Sequence, residues 1–202
     1  MVRELSTLLE TVSACRRCRG MGSTPILSNA NGPGSARVLF VGEAPGRLGA
    51  ALTGRPFDGD TSGRRFESLL AAAGLAREGV FITNAVLCLP LSASGNNRRP
   101  TASEQANCRP WLQATIKAVN PGLVVAMGSV ALTAVHRIEA HTLAVRDAGS
   151  EPLPWFGRRL AAVYHPSALA QVHRSWEQQL ADWQGIGAWL RSGTAGESAA
   201  SG

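Results

Sequence analysis

The sequence predicts an α/β fold, namely a single-domain three-layer αβα sandwich around a central four-stranded, mainly parallel sheet. Two observations lead to this prediction. Short apolar runs alternate with segments of helical periodicity, an order typical of parallel strands joined by crossover helices. The 202 residues also suffice for one well-filled domain and hardly for two. We therefore expect one domain over residues 1–192 and a disordered tail of small polar residues over 193–202.

The four predicted strands are short buried runs that end in polar or glycine-rich turns. They lie in RVLFVGEAPG, VFITNAVLC, PGLVVAMG and RRLAAVYHPS, and we expect the second strand to extend to Cys88. Ligands of open parallel sheets bind beyond the carboxyl ends of the strands. The polar segments GEAPG, TNAVLC and HPS fall at those ends, so the sequence predicts a site there.

Helices are predicted between the strands from periodicity and capping residues. One covers residues 2–14, and another, TSGRRFESLLAAAGL, has Thr61 or Ser62 as its expected N-cap. A third begins near TASEQ, where Thr101 or Ser103 can cap it. The last two are SVALTAVHRI and VHRSWEQQLADWQGIGAWLRSG. The glycine- and proline-rich segment 20–35 is expected to be a loop.

Charge and composition favour an anionic partner. The chain has a formal net charge of +6 at pH 7 and a pI near 10.1, which most simply indicates nucleic acid. The basic residues are arginine except for Lys117; codon usage in a GC-rich genome would also explain that ratio, but not the net charge. No run approaches the roughly 20 apolar residues of a membrane span, and the first residues do not resemble a signal peptide. We therefore expect a bacterial cytoplasmic protein.

Four cysteines stand at Cys15, Cys18, Cys88 and Cys108. A reducing cytoplasm disfavours disulfides, and a C-x-x-C pair is typical of a metal site. Thiolates select zinc or iron–sulfur centres. Only one of the two pairs is tightly spaced, and such wide spacing suits an iron–sulfur cluster at least as well as zinc. Spacing alone also leaves open that these are buried free thiols.

The chain resembles the uracil-DNA glycosylase superfamily, and most closely its iron–sulfur branch, family four. The resemblance runs from about residue 10 to 190 and depends on ordered motifs: CRRC, VGEAPG, GRPFDGDTSGRRF, TNAVLC, NRRP, CRPWL, NPGLVVAMG and YHPS. It implies a uracil-DNA glycosylase-like fold and a monofunctional glycosylase. It also implies that the four cysteines hold a structural [4Fe–4S] cluster, which clamps the N-terminal arm and the 88–108 loop and takes no redox part in the chemistry.

The resemblance also assigns the binding of uracil. Asn84, at a strand end, would read the base edge, because a side-chain amide can meet O4 and N3 together. Phe57, in a glycine-rich loop, would stack on the base. The GEAPG turn, with Gly42, Ala44 and Gly46, would face O2 with backbone N–H groups. The structural alternatives are an amide that caps its own turn and a phenylalanine that belongs to the core.

Besides Asn84, two side chains are candidate catalytic residues. His165 in YHPS would stabilise the anionic leaving base, either neutral or charged. Glu43 would orient water or stabilise the developing cationic sugar. A satisfied structural histidine and a loop carboxylate are the alternatives. Because the only lysine lies in the middle of a predicted helix, far from these motifs, a Schiff-base lyase step is not expected.

Contacts with DNA are expected from the residues around HPS and NRRP. Ser167 would hold a phosphate, and Leu169 would wedge into the gap that the flipped base leaves. Arg98 and Arg99 would contact phosphates, although each alone is an ordinary solvated charge. The expected partner is uracil-containing DNA, single- or double-stranded, bound by a monomer.

Three departures from the family pattern indicate a divergent member. GEAPG continues as RLGAALTG where family four usually has acidic residues, and extra residues, LPLSASGN, follow Cys88. After HPS, ALAQVHR replaces the usual Leu-Arg end, so that His173 is an alternative DNA contact. Three alternatives therefore accompany the glycosylase hypothesis. They are a glycosylase of altered base preference, a uracil- or abasic-DNA binding protein with tight or covalent product retention, and a nucleotide-binding domain with structural zinc.

Overall fold

The centre of the molecule is a five-stranded sheet. A computed structural model describes residues 2–193, so the predicted tail, apart from Gly193, lies outside the described residues. The strands follow the order β2-β1-β3-β5-β4. Their bounds are β1 Val38–Gly42, β2 Val80–Asn84, β3 Leu123–Met127, β4 Leu153–Trp155 and β5 Arg158–Val163. β1 pairs in parallel with β2 and β3, and β3 pairs in parallel with β5. The predicted α/β class and parallel core are confirmed.

The sheet has one strand more than the sequence predicts. β4 runs antiparallel to β5, with Trp155 opposite Arg158, so that only Phe156 and Gly157 form the turn. Both turn residues have positive φ, 49° and 68°, as the tight turn of a β-hairpin requires. The strand has three residues including Pro154, which restricts it to the sheet edge. A strand this short gives no periodic signal in the sequence.

The described residues contain six α-helices. They are α1 Val2–Ser13, α2 Ala50–Thr53, α3 Thr61–Ala72, α4 Ala102–Val119, α5 Ser129–His136 and α6 Trp176–Arg191. The short α2 was not predicted from the sequence. In the part of the chain from 2 to 193, no helix is long and apolar enough to cross a membrane.

Two local predictions are wrong and one is confirmed. The N-cap of α3 is Asp60, rather than Thr61 or Ser62, because its carboxylate accepts the Gly63 N–H at 2.8 Å. The second strand ends at Asn84 rather than Cys88. Just beyond it, the Ala85 and Val86 N–H groups still donate to the carbonyls of Gly42 and Glu43. Thr101 caps α4 in a reciprocal capping box, as predicted.

Helices cover both faces of the sheet, as the three-layer prediction requires. Leu39 and Val41 of β1 face a core that contains residues of α1, α4 and α5. Val38 and Phe40 of the same strand face a second core built with α3 and α6. Because successive side chains of a strand point to opposite faces, an unbroken apolar strand supplies both cores.

α6 packs on α3 through an aromatic cluster and a close backbone approach. Trp183 stacks on Phe40 with ring centroids 5.1 Å apart and meets Phe66 edge-on at 5.5 Å. At Gly187 a Cβ would overlap the carbonyl oxygen of Ala73. α6 therefore approaches the end of α3 to a distance that only glycine permits.

We expect Gly187→Ala to lower the free energy of unfolding by about 1–3 kcal/mol, because the added methyl group has no space against Ala73. The matched control lies two residues away on the same helix. A Cβ at Gly185 meets no atom within 4 Å, so Gly185→Ala should raise stability by up to about 1 kcal/mol through helix propensity. Urea denaturation measures both, and equal effects of the two substitutions would contradict the packing.

Candidate active site

A cavity of about 430 Å³ opens at the carboxyl edge of the sheet. It lies where the chain order reverses, because β1 pairs with β2 on one side and with β3 on the other. The structure brings together there all but one of the sequence-predicted binding and catalytic residues. Those in the lining are Glu43, Ala44, Gly46, Phe57, Asn84, Arg98, Arg99, His165, Ser167 and Leu169.

Gly42, the remaining predicted residue, lies beneath the cavity rather than in its lining. It is the last residue of β1 and pairs with Asn84, the last residue of β2. A Cβ on Gly42 would lie 2.5 Å from Asn84 Oδ1 and 3.1 Å from the Phe57 ring. The missing side chain thus leaves the space in which the Asn84 amide and the Phe57 ring lie side by side.

Phe57 adopts a backbone conformation that is unusual for its residue type. Its φ is 51°, and its ring stacks on Phe66 with centroids 4.6 Å apart. Gly63, in the first turn of α3, allows the close approach, since a Cβ there would lie 2.6 Å from the Phe57 carbonyl oxygen. Backbone strain of this kind concentrates at binding sites, where surrounding contacts enforce it. The Phe57 ring is thereby fixed at the cavity wall, 5.7 Å from the His165 ring.

His165 lies two residues beyond β5 and is followed by the buried Pro166. Burial lowers its pKa to about 4, because the charged imidazolium loses hydration, while the Asp60 carboxylate opposes this in part. The imidazole is therefore neutral at pH 7. In that state it can donate one hydrogen bond and accept another.

Glu43 directly follows β1 and is half-buried in the cavity wall. Burial raises its pKa above the ordinary value, and the positive charge of Arg99 partly offsets the increase. Arg99 is exposed and donates to Ser129 Oγ at 3.3 Å, at the start of α5. The cavity lining therefore contains both the Glu43 carboxylate and the Arg99 guanidinium.

Arg98 is bound by the protein's own groups. Its guanidinium donates two hydrogen bonds to the Glu104 carboxylate, at 2.6 and 2.8 Å, and a third to the Leu91 carbonyl at 2.9 Å. This interaction lowers the pKa of Glu104 to about 2. Arg98 thus fastens the loop that follows Cys88 to the first turn of α4, whereas Arg99 remains on the surface.

Asp60 and Asn97 also line the cavity, although neither is predicted as a site residue from the sequence. Asp60 caps α3, and its second oxygen would lie 3.0 Å from a Cβ on Gly46. Asn97 accepts the Arg47 N–H at 3.1 Å, which joins the turn after β1 to the loop before α4. An aspartate just before a helical pattern is a recognisable N-cap signal, so Asp60 could have been found from the sequence. The contact of Asn97 with Arg47 joins distant residues and leaves no signal in the local sequence.

The four cysteines line a separate cavity of about 260 Å³. Cys15 and Cys18 follow α1, Cys88 lies beyond β2, and Cys108 is on α4. Burial and the neighbouring thiols raise the pKa of Cys88 to about 12 and that of Cys108 to about 11. Asn107 Nδ2 donates to Cys18 Sγ at 3.4 Å.

No group of three or more His, Cys, Asp or Glu side chains that could hold a metal ion occurs between residues 2 and 193. The thiols instead surround a shared space. Four soft sulfur donors around such a space are the donor set of an iron–sulfur cluster, which is larger than one ion. The residues present therefore fit a cluster.

An open α/β sheet with a polar cavity at its switch point defines a ligand-binding or catalytic domain. Comparison with known proteins names the family. The model of the uracil DNA glycosylase superfamily matches residues 30–185, and the chain belongs to that superfamily.

Several curated relatives match most of the chain. It is 35% identical over 161 residues to the type-4 uracil-DNA glycosylase of Thermotoga maritima, covering 79% of this chain and 80% of that protein. It is 29% identical over 197 residues to the type-4 enzyme of Archaeoglobus fulgidus, covering 92% and 93%. A type-5 uracil-DNA glycosylase of Pyrobaculum aerophilum is 38% identical over 148 residues, covering 67% and 63%. The two type-4 relatives thus align with more of the chain, in accord with the family-four resemblance.

We expect Glu104→Gln to destabilise the protein at pH 7, because it removes the partner of Arg98. The folded state holds the pKa of Glu104 near 2, below its ordinary value of 4.5. The carboxylate therefore stabilises the fold above about pH 4.5, and this contribution is lost as the pH falls towards 2. The stability difference between wild type and variant should shrink over that window in denaturation curves. Glu151→Gln, at an exposed loop position, is the control and should leave the free energy of unfolding at pH 7 unchanged.

Proposed function

We propose that this protein is a monofunctional uracil-DNA glycosylase. It extrudes uracil from DNA and hydrolyses the N-glycosidic bond, leaving an abasic site for base excision repair. The observation that carries the proposal is the convergence of the Asn84 amide, the Phe57 ring, the His165 imidazole and the Glu43 carboxylate on one cavity. The names of the type-4 and type-5 relatives support the same activity.

Recognition of the base depends on the Asn84 amide. Its oxygen accepts N3–H of uracil, and its NH₂ group donates to O4. Cytosine presents an amino group where uracil has O4, so the buried amide would be left without its partner. The Phe57 ring supplies an apolar face for stacking, and the turn of Gly42, Ala44 and Gly46 supplies backbone N–H groups for O2.

Cleavage requires stabilisation of two developing charges. Uracil departs with the electron pair of the N-glycosidic bond, and negative charge develops on O2. The neutral imidazole of His165 donates a hydrogen bond there, as in an oxyanion hole, and its pKa near 4 argues against a charged histidine. The Glu43 carboxylate orients the attacking water and stabilises the cationic sugar. Lys117, the only lysine, lies on α4 outside the cavity lining, which supports hydrolysis without a lyase step.

Contacts with DNA surround the mouth of the cavity. The Leu169 side chain is 80% exposed and fills the gap left by the extruded nucleotide. Ser167 and Arg99 contact phosphates, while Arg98 positions its loop through Glu104. The net charge of +6 favours association with either single- or double-stranded DNA. The protein acts as a monomer in the cytoplasm, on the chromosome.

A structural [4Fe–4S] cluster belongs to the proposal. Cys15, Cys18, Cys88 and Cys108 would hold it, and it would supply a cross-link rather than chemistry in hydrolysis. These residues come from the segment after α1, the segment beyond β2, and α4. A link among the three segments would fix the loop that carries Arg98 and Arg99 beside the cavity.

An oligonucleotide with a single uracil, beside cytosine and hypoxanthine controls, tests the activity. We expect a strand break only after alkali treatment and only with uracil. His165→Ala should lower the single-turnover rate by about 10²–10³-fold, because it removes the donor to O2. His136→Ala, at the far end of α5, is the control and should leave the rate unchanged.

Three outcomes would contradict parts of this proposal. A near-normal rate in His165→Ala would remove the imidazole from the mechanism. DNA retained on the protein without a break would favour the binding or trapping alternative. Release of hypoxanthine in preference to uracil would indicate an altered base preference.

Cys88→Ser tests the cluster. The purified wild type should be brown, with broad visible absorption and about four irons per chain. The variant should lose iron and absorption and unfold at lower temperature, because metal binding contributes to folding. A stable, active and colourless variant would contradict the structural cluster. Zinc in place of iron in the wild type would show that the four cysteines form a structural zinc site instead.

A further inference from the structure

Large exposed apolar side chains lie on two chain segments that help to line the active-site cavity. Among the described residues they are Leu48, Leu52, Leu169 and Val172, with exposed fractions of 61%, 75%, 80% and 80%. We call these four side chains the apolar collar. Residues 44–50 and 165–169 contribute to the cavity lining. Leu48 and Leu169 lie within these ranges, and Leu52 and Val172 follow them within three residues. Single exposed apolar residues are ordinary, but their concentration on two segments that line one cavity indicates a surface that a partner covers.

The segment that carries Leu48 and Leu52 is held in place by backbone contacts. The Arg47 N–H donates to Asn97, and the Gly54 N–H donates to the Ala50 carbonyl at 2.9 Å. A Cβ on Gly49 would lie 2.6 Å from Asp60 Oδ2, so the turn packs tightly on the cap of α3. The exposure of the leucines is therefore a property of a fixed turn.

The direction of these side chains follows from the helical turn α2. Ala50 is buried and lines the cavity. Leu52 stands two positions later, which places it on the opposite side of a helical turn, towards solvent. Leu48 precedes the turn and is also exposed. One side of this segment thus closes the cavity while the other presents leucine outward beside its mouth.

The charge of the segment indicates the chemistry of the partner. The residues between Pro45 and Phe57 include no Asp or Glu, but they include two arginines, Arg47 and Arg55. Arg99 adds a further exposed cation at the cavity. Leucine beside arginine matches DNA in which a nucleotide has left the stack, because the neighbouring bases then expose apolar faces between anionic phosphates. A protein partner on the collar would instead cover the opening through which the base must enter.

We propose that Leu48 and Leu52 form a second apolar DNA contact, which packs against the nucleotides that flank the extruded uridine and supplements the wedge at Leu169. This proposal rests on the proposed function. It assigns binding of the distorted DNA to a segment that the sequence resemblance marks as divergent. Because the leucines point away from the reacting atoms, they contribute to affinity and leave the chemical step unaffected.

The double variant Leu48→Ser, Leu52→Ser tests this contact. The probe is a duplex with a tetrahydrofuran abasic analogue, compared with the same duplex unmodified, in fluorescence anisotropy. We expect affinity for the abasic duplex to fall at least about tenfold, since two apolar side chains lose burial. The single-turnover rate on uracil DNA at saturating enzyme should change less than about twofold. The slope of log K against log salt should stay unchanged, because no phosphate contact is lost.

Leu48→Met, Leu52→Met is the matched control and should retain the wild-type affinity, because methionine keeps the apolar area. Thermal unfolding checks that both surface variants fold. Unchanged affinity of the serine variant for the abasic duplex would overturn the proposal. So would dimerisation of the wild type that the serine variant abolishes without any effect on DNA, since the collar would then serve a second copy of the chain.

Failure of the proposed function would give a different result. A wild type that binds the abasic duplex but releases no uracil would refute the glycosylase activity. The loss of that binding in the serine variant would still support the collar as a DNA contact.

Discussion

The site depends on the parallel pairing of β1 and β2, which ends at Gly42 opposite Asn84. Because parallel strands finish at the same edge, the turn after β1, the amide that ends β2 and the histidine beyond β5 meet in one place. The absence of a side chain at Gly42 then leaves space for the Asn84 amide and the Phe57 ring. A larger residue at Gly42 would fill that space before any ligand entered.

Burial shifts the pKa values of two titratable groups at this edge. It lowers the pKa of His165 and raises that of Glu43, while Asp60 and Arg99 moderate the two shifts. In the proposed hydrolysis, His165 would face the leaving base as it becomes an anion, and Glu43 of the same cavity would face the sugar as it develops positive charge. Arg98 and Glu104, in contrast, form an ion pair that holds the loop before α4 in place.

Two loops form much of the cavity mouth, and specific contacts join them. Asn97 ties the loop before α4 to the turn after β1, and Arg98 ties the same loop to the start of α4. The cysteine cavity contains residues on both sides of that loop, at Cys88 and Cys108. The segment between Cys88 and Cys108 therefore borders both the active-site cavity and the cysteine cavity.

The sequence by itself determined the α/β class, the parallel strands, most helices and the candidate residues at the strand ends, because periodicity and capping are local signals. It did not reveal β4, since three residues with a proline carry no period, and it misplaced the α3 cap by one or two residues. Only the tertiary structure decided that Arg98 binds Glu104, that Asn97 joins two loops and that His165 is neutral. These facts depend on burial and on contacts between distant parts of the chain, which no local pattern encodes.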